Sequence, residues 1–361
     1  MNIPPAPRVV TFGEVMARLA TPGYQRFQQA IPGRLDITFA GAEVNVAAAI
    51  TQLGGNAAFV TALPEHALAD ALLANLRALR VDTHDIVRSP VGRLGLFFFE
   101  KGINQRAGHV IYDREGSSVA VLPPESYDWE RIFQGATWFH ISGITPAISQ
   151  NAAAVALHAV RMAAAEGLRV SFDMNFRTKL WRWEPETAPR DLAARTVRGI
   201  LPMVDLFFGG PEDVALLTGK PLTAGPKDHR LAAARQLIEE FPRISQVAMT
   251  LRQVTPDSRH ELGGMLYQAS SGQVFHAPLR AGQYTPYPIT CMVDRLGAGD
   301  AFAAALLFAL TTPELADPGR ALSFATAAFC LAHSVEGDFN LVSRAEVESL
   351  AQNGAADSVG R

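Results

Sequence analysis

Cysteine is nearly absent from this chain, with two in 361 residues, Cys291 and Cys330. They are too few and too far apart for a disulfide framework, a zinc site or a CxxC redox pair. Their apolar neighbours read as two reduced core thiols of a cytoplasmic protein. An excess of charge is also lacking: 32 Lys and Arg meet 35 Asp and Glu, a formal net charge of −3. Such a balance gives no basic field for nucleic acid. The most apolar run, Ala301–Leu310, is too short to span a bilayer. The opening "MNIPPAPRVV" has no basic stretch followed by an apolar one, so it does not read as a signal peptide.

What is present is 48% hydrophobic residues, enough for a large core. Short β-branched or aromatic runs alternate with Ala- and Leu-rich helical segments. "VVTFGE", "AAFVTAL", "WFHISG", "RVSFDMN", "VDLFFGG" and "QVAMTL" read as strands. "NVAAAITQLGG" reads as a helix from Asn45, stopped by Gly54 and Gly55, and "ADALLANLRALRV" as another. The alternation predicts an α/β fold, a doubly wound, mostly parallel sheet with helices on both faces. Ligands in such sheets lie beyond the carboxyl ends of the strands. Residues 14–40 and 92–122 break the pattern with short β-like runs and no long helix, and predict a small β lid on one edge. "TPDSRHELGGMLYQASSGQVFHAP" predicts a late hairpin. The whole, 1–361, reads as a single domain, with 351–361 a frayed tail.

One stretch asks for chemistry: "VDRLGAGDAFAAALLFAL", Val293–Leu310. "ITCMV" before it reads as a strand and "AFAAALLFAL" after it as a helix, so the glycines occupy a strand-to-helix junction. Small residues at Gly297, Ala298 and Gly299 let backbone N–H groups approach an anion, and the helix start adds partial positive charge. Asp300, in the first turn, is either a capping carboxylate worth about 1 kcal/mol or a base beside a phosphoryl group. Spacing alone leaves these two open. A dinucleotide loop would need a third glycine where Phe302 stands.

"VDRLGAGDAFAAALL" resembles the C-terminal signature of ribokinase-like (PfkB) carbohydrate kinases. The resemblance implies that the GAGD amides form an anion hole and that Asp300 is the catalytic base. "FAGAEVNVAAAITQLGG" is similar to the family's N-terminal signature and implies that Gly41 and Asn45 meet sugar hydroxyls. "FHISGITPAIS" and "SFDMNFRTKLW" resemble the 2-keto-3-deoxygluconate kinases of that family, as does Arg295 where the family more often has Thr. This implies an ATP-dependent kinase acting on the 6-hydroxyl of a keto-deoxy sugar acid. Arg177 and Asn175 would lie near the phosphates, and Arg177, with Tyr112 and Arg114 of "VIYDREGSS", would meet the acid. Ile144 and Asp338 match substrate contacts, and Phe97 stands where a lid tyrosine is usual. Thr250, Arg252 and, on a late helix, Thr326 match the nucleotide side.

The family's N-x-x-E before "LLTG" is replaced by Gly210 and Asp213. That leaves Asp213 or Glu212 for Mg²⁺, in part through water. A monovalent cation such as K⁺ and a homodimer formed through the lid belong to the same set of implications. Fructose and 2-keto-3-deoxygalactonate are the competing substrates, and the altered N-x-x-E keeps open a non-catalytic sensor on the same fold.

Overall fold

The computed structural model describes residues 7–221, 229–254 and 260–353. The predicted strand–helix alternation organises it. In chain order the elements used below are β1 (Arg8–Phe12), β2 (Met16–Ala20), β3 (Asp36–Ala40), α1 (Ala42–Gln52), β4 (Asn56–Val60), α2 (Ala67–Ala78), β5 (Gly95–Glu100) and β6 (His109–Asp113). There follow β7 (Ala136–Ser142), α3 (Gln150–Ala165), β8 (Arg169–Asp173), β9 (Leu206–Phe208), α4 (Pro211–Thr218), α5 (His229–Glu240) and β10 (Gln246–Val254). The chain continues through β11 (His260–Gln268), β12 (Gln273–Ala277), β13 (Tyr287–Ile289), α6 (Ala298–Thr311), α7 (Pro318–Ala332) and α8 (Arg344–Asn353).

The main sheet runs in the order β12-β11-β10-β9-β8-β7-β1-β4, with β13 also pairing with β11. From β4 to β10 all neighbours are parallel, and β11, β12 and β13 add an antiparallel edge. Successive strand residues point into opposite cores. Val9, Phe59, Leu206 and Phe208 join α1, α2, α6 and α7 on one face. Val10, Phe12, Val60 and Phe207 join α3, α4 and α5 on the other. Burial on both faces is why these strands are near-continuous apolar runs rather than alternating ones.

The two segments that broke the helix–strand rhythm form a separate four-stranded sheet, β3-β2-β5-β6. Its register places Met16, Arg18, Phe97, Phe99 and Tyr112 on one face and Leu19, Ile37, Phe98 and Ile111 on the other. Met16, Ala40, Phe97 and Phe99 make a small core of their own.

Local readings need correction in four places. The helix expected from Asn45 begins at Ala42, with Gly41 as its N-cap. Asn45 therefore sits one turn inside, and its Oδ1 accepts the Gly41 N–H at 3.3 Å. "ITCMV" is not a strand: β13 ends at Ile289, and the chain reaches Gly297 as an irregular segment. Its Val293 N–H donates to the His333 carbonyl rather than to a strand. Neither cysteine is a core thiol, since Cys291 is exposed and Cys330 half-buried, though both are free. The expected frayed tail is helical through Asn353, and 354–361 lie outside the described residues. No helix among the described residues is long and apolar enough to cross a membrane.

Gly41 marks where lid and main domain touch. Its φ of 173° suits any residue, but an added Cβ would lie 2.0 Å from the Glu14 carbonyl oxygen. The glycine is required by close approach, not by backbone freedom. Gly41→Ala is expected to lower stability by about 1–3 kcal/mol through overpacking, read as a fall in Tm by calorimetry. An unchanged Tm would show that the junction yields.

Candidate active site

Asp300 is the third residue of α6, after the N-cap Gly297 at φ +73°. It is 9% exposed. Its Oδ2 accepts from Asn45 Nδ2 at 2.7 Å, joining the start of α6 to the first turn of α1. Burial pushes its carboxyl up to about 8; the Asn45 hydrogen bond opposes this, and the charges of Asp173, Asp338 and Glu43 add to it. The Ala298, Gly299 and Asp300 amides are among those that a helix cannot satisfy internally. Gly297 is forced twice: by its left-handed backbone and because a Cβ would lie 2.1 Å from the Asp338 carbonyl. Gly299 is forced by neither, since its added Cβ would meet nothing within 4 Å.

These groups open into a cleft of about 390 Å³ at the carboxyl ends of the parallel strands, roofed by the lid. Gly41, Asn45, Phe97, Tyr112, Arg114, Ile144, Asn175, Arg177, Asp213, Thr250, Gly297, Gly299, Asp300 and Asp338 all line it. Ala298 lies just behind, buried at the helix start. After β8 the Asp173 Oδ1 accepts the Asn175 N–H at 3.1 Å, and Asn175 takes φ +33°. Asn tolerates that left-handed turn better than most residues. The turn delivers Arg177 to the cleft as an exposed side chain with no ion pair among the described residues.

Three expected contacts lie elsewhere. Thr326 is fully buried on α7, its hydroxyl bonded to the Leu322 carbonyl at 2.7 Å. Arg252 lies exposed on β10 outside the cleft, donating from Nε to His260 Nδ1 at 3.2 Å. Glu212 is exposed on α4 and does not line the cleft.

Four residues were not singled out from the sequence. Glu14 ion-pairs with Arg114, both buried, so Arg114 carries no unbalanced charge into the cleft. Arg18 ion-pairs with both Asp294 and Asp338. Glu43 Oε1 accepts from the Ser142 N–H, Ser142 Oγ and Thr145 Oγ1 at 2.7–2.9 Å, fixing the approach to Ile144. Burial raises its pKa. Asp173 is pushed up to about 7, by burial first and then by Asp213. A usable signal existed for Glu14 and Asp173: each is an acid at the carboxyl end of a parallel strand.

Asp213 Oδ2 accepts the Gly210 N–H at 2.8 Å and caps α4. Its pKa is also raised, chiefly by burial. No group of three or more potential ligands gathers among the described residues. A pair of hard carboxylates, Asp173 and Asp213, fits Mg²⁺ in the way that ion is usually held, by one or two carboxylates, waters and a ligand's phosphates. The helix start and Arg177 fit the phosphates themselves.

Comparison with known proteins finds relatives over most of the chain. Residues 6–251 match the model of the pfkB family carbohydrate kinases. A 2-dehydro-3-deoxygalactonokinase of Haloferax volcanii is 31% identical over 96% of this chain and 98% of that protein. A 2-dehydro-3-deoxygluconokinase of Bacillus subtilis is 26% identical over 82% of this chain and 81% of that protein. The crystal structure of a 2-dehydro-3-deoxygluconokinase from Thermotoga maritima superposes with a TM-score of 0.86 at 34% identity. It covers 96% of this chain and 99% of that one.

Two outcomes follow from the site's physics. With Asp300 at about 8 folded and near 3.8 unfolded, the native state holds the extra proton between those values, so its contribution to stability falls as pH rises from about 4 to about 8. Asp300→Asn should therefore gain Tm over the parent as pH goes from 5 to 8, by roughly 2 °C or more. A pH-independent difference would contradict the raised pKa. Gly299→Ala should keep or raise Tm, since alanine is favoured in a helix by up to about 1 kcal/mol. It should nonetheless lower kcat/KM; full activity would mean the glycine leaves no room that a ligand uses.

Proposed function

The chain belongs to the pfkB family of carbohydrate kinases, a phosphotransferase acting on a sugar hydroxyl, and we propose that its acceptor is 2-keto-3-deoxygluconate, phosphorylated on O6 by ATP. ATP with Mg²⁺ is the phosphoryl donor of this family. The observation that carries the reading is one cleft holding Asp300 with its Asn45 donor, the amides of a helix start, and the guanidinium of Arg177, which has no ion pair among the described residues. A neutral-sugar kinase has no need of that last group.

In this reading Asp300 takes the proton from the 6-hydroxyl as O6 bonds to the γ-phosphorus. The bond from phosphorus to the ADP oxygen breaks in line, and ADP leaves. The Gly297–Asp300 amides receive the charge that builds on the phosphoryl oxygens. Asp213 and Asp173 would hold Mg²⁺, which would supply neutralisation of phosphate charge. Arg177 offsets further phosphate charge and reaches the acid. Arg114, balanced by Glu14, offers N–H donors rather than net charge, and with Tyr112 it orients the acid end beneath Phe97. Closure of the lid excludes water from the transfer. The outer lid face, with Ile37 and Ile111 exposed beside Phe98, suits a second copy of the chain.

The Haloferax volcanii relative favours a second reading, the galacto epimer, which differs at one carbon. ADP release with ATP, Mg²⁺ and each of 2-keto-3-deoxygluconate, its galacto epimer and fructose decides among them. Turnover of both acids with higher kcat/KM for the gluco form is the expected result, and Asp300→Asn should cut kcat about 10³-fold. A reversed order of epimers establishes the second reading. Turnover of fructose alone overturns the sugar-acid assignment, and no turnover at all leaves a sensor on this fold.

A further inference from the structure

Arg18 stands on the cleft-side face of β2, in the lid, yet it is 2% exposed and does not line the cleft. A charge so deeply placed is defined by its partners. Its Nη2 donates to Asp294 Oδ2 at 2.8 Å and its Nη1 to Asp338, with the guanidinium carbon 4.8 Å over the Phe99 ring. Both carboxylates belong to the surroundings of the anion loop. Asp294 Oδ1 accepts the N–H groups of Arg295 (2.8 Å) and Leu296 (3.3 Å), and its Oδ2 accepts that of Gly337 (3.3 Å). It thereby shapes the two residues that lead into Gly297. Asp338 backs the same glycine from the other side, its carbonyl in the space a Cβ would occupy.

Gly297 is thus set between two acids, and the amides that follow it inherit that placement. Burial raises the cost of ionising both acids, Asp294 adds to that cost at Asp338, and Arg18 is the charge that opposes it at both. A planar guanidinium can hold two carboxylates at a fixed separation, which an ammonium cannot. A second ion pair, Lys101 just past β5 with Glu336, joins the same two pieces of the molecule nearer the surface.

We propose that Arg18 is a positioning residue for phosphoryl transfer: from the lid, it fixes Asp294 and Asp338 at the spacing that aims the Gly297–Asp300 amides. The lid and the anion loop therefore order as one unit. The inference rests on the phosphoryl-transfer reading of the cleft and not on which sugar is used.

Arg18→Lys in the full chain keeps the charge and removes the fork. Two readouts are taken, steady-state kinetics and hydrogen exchange of the free protein by mass spectrometry. The expected result is kcat lower by about 10- to 100-fold, the scale of a 1 Å misplacement, with KM for sugar and ATP within about threefold. Exchange should rise together in 292–299 and in β2 and β5, and stay unchanged in β8 and α3. Should that variant fail to fold, Asp294→Asn, which keeps an acceptor for the loop amides, must give the same split. Unchanged kcat in a folded variant overturns the proposal. So does a raised sugar KM with kcat intact, or exchange that rises in the lid alone. If the parent enzyme phosphorylates no sugar, the kinase reading fails, but the exchange pattern still decides whether Arg18 couples lid to loop.

Discussion

A single buried hydrogen bond, Asn45 Nδ2 to Asp300 Oδ2 at 2.7 Å, joins side chains 255 positions apart. The rest of the site is arranged around it. For the bond to form, the first turns of α1 and α6 must pack closely, and both helices supply alanines for that approach: Ala47, Ala48 and Ala49 on one, Ala301, Ala304 and Ala305 on the other. Burial that removes water from Asp300 leaves it one good donor, and this raises its pKa into the range where a carboxyl serves as a base near neutral pH. The same packing aims the free amides of α6 into the cleft. Fold and chemistry are here one constraint: an acid cannot be both buried and well solvated, so its basicity follows from the helix packing.

The electrostatics of the cleft carry the idea further. Asp173, Asp213, Asp300 and Asp338 line it, with Glu43 just behind, and burial raises all five. Two of the nearby arginines are already committed, Arg114 to Glu14 and Arg18 to Asp294 and Asp338. Arg177 and Arg295 reach the cleft exposed and without an ion pair among the described residues. A triphosphate entering such a site brings more negative charge. In the proposed reading, phosphoryl transfer there would depend on the helix start, on Arg177 and on the Mg²⁺ that arrives with the nucleotide.

Much of this was legible in the sequence because it is local. The parallel sheet followed from apolar runs buried on both faces, and the lid from two segments that broke the rhythm. Gly297 and Asp300 stand out as small residues and an acid at an element boundary, whereas Asn45 and Arg177 are singled out by the resemblance to the carbohydrate kinases. What stayed hidden was pairwise and distant. No periodicity tells that Arg114 is neutralised by Glu14, or that Arg18 reaches across to Asp294 and Asp338. The start of α1 was placed late because Asn at a helix start usually caps, whereas Asn45 turns inward to Asp300. Thr326 looked available because its helix neighbours are small; Thr326 itself packs against Gly264 on β11, its Oγ1 2.5 Å from where a Cβ there would lie.

The claim most exposed to test is that Asp300 acts as a base whose pKa is raised by burial. The direct measurement is the pH dependence of kcat/KM for the acceptor, with ATP and Mg²⁺ saturating. The account predicts an acid limb between about pH 7 and 8, activity rising as the carboxyl loses its proton, and the loss of that limb in the residual activity of Asp300→Asn. A profile flat down to about pH 5, where an ordinary aspartate is already ionised, would contradict it.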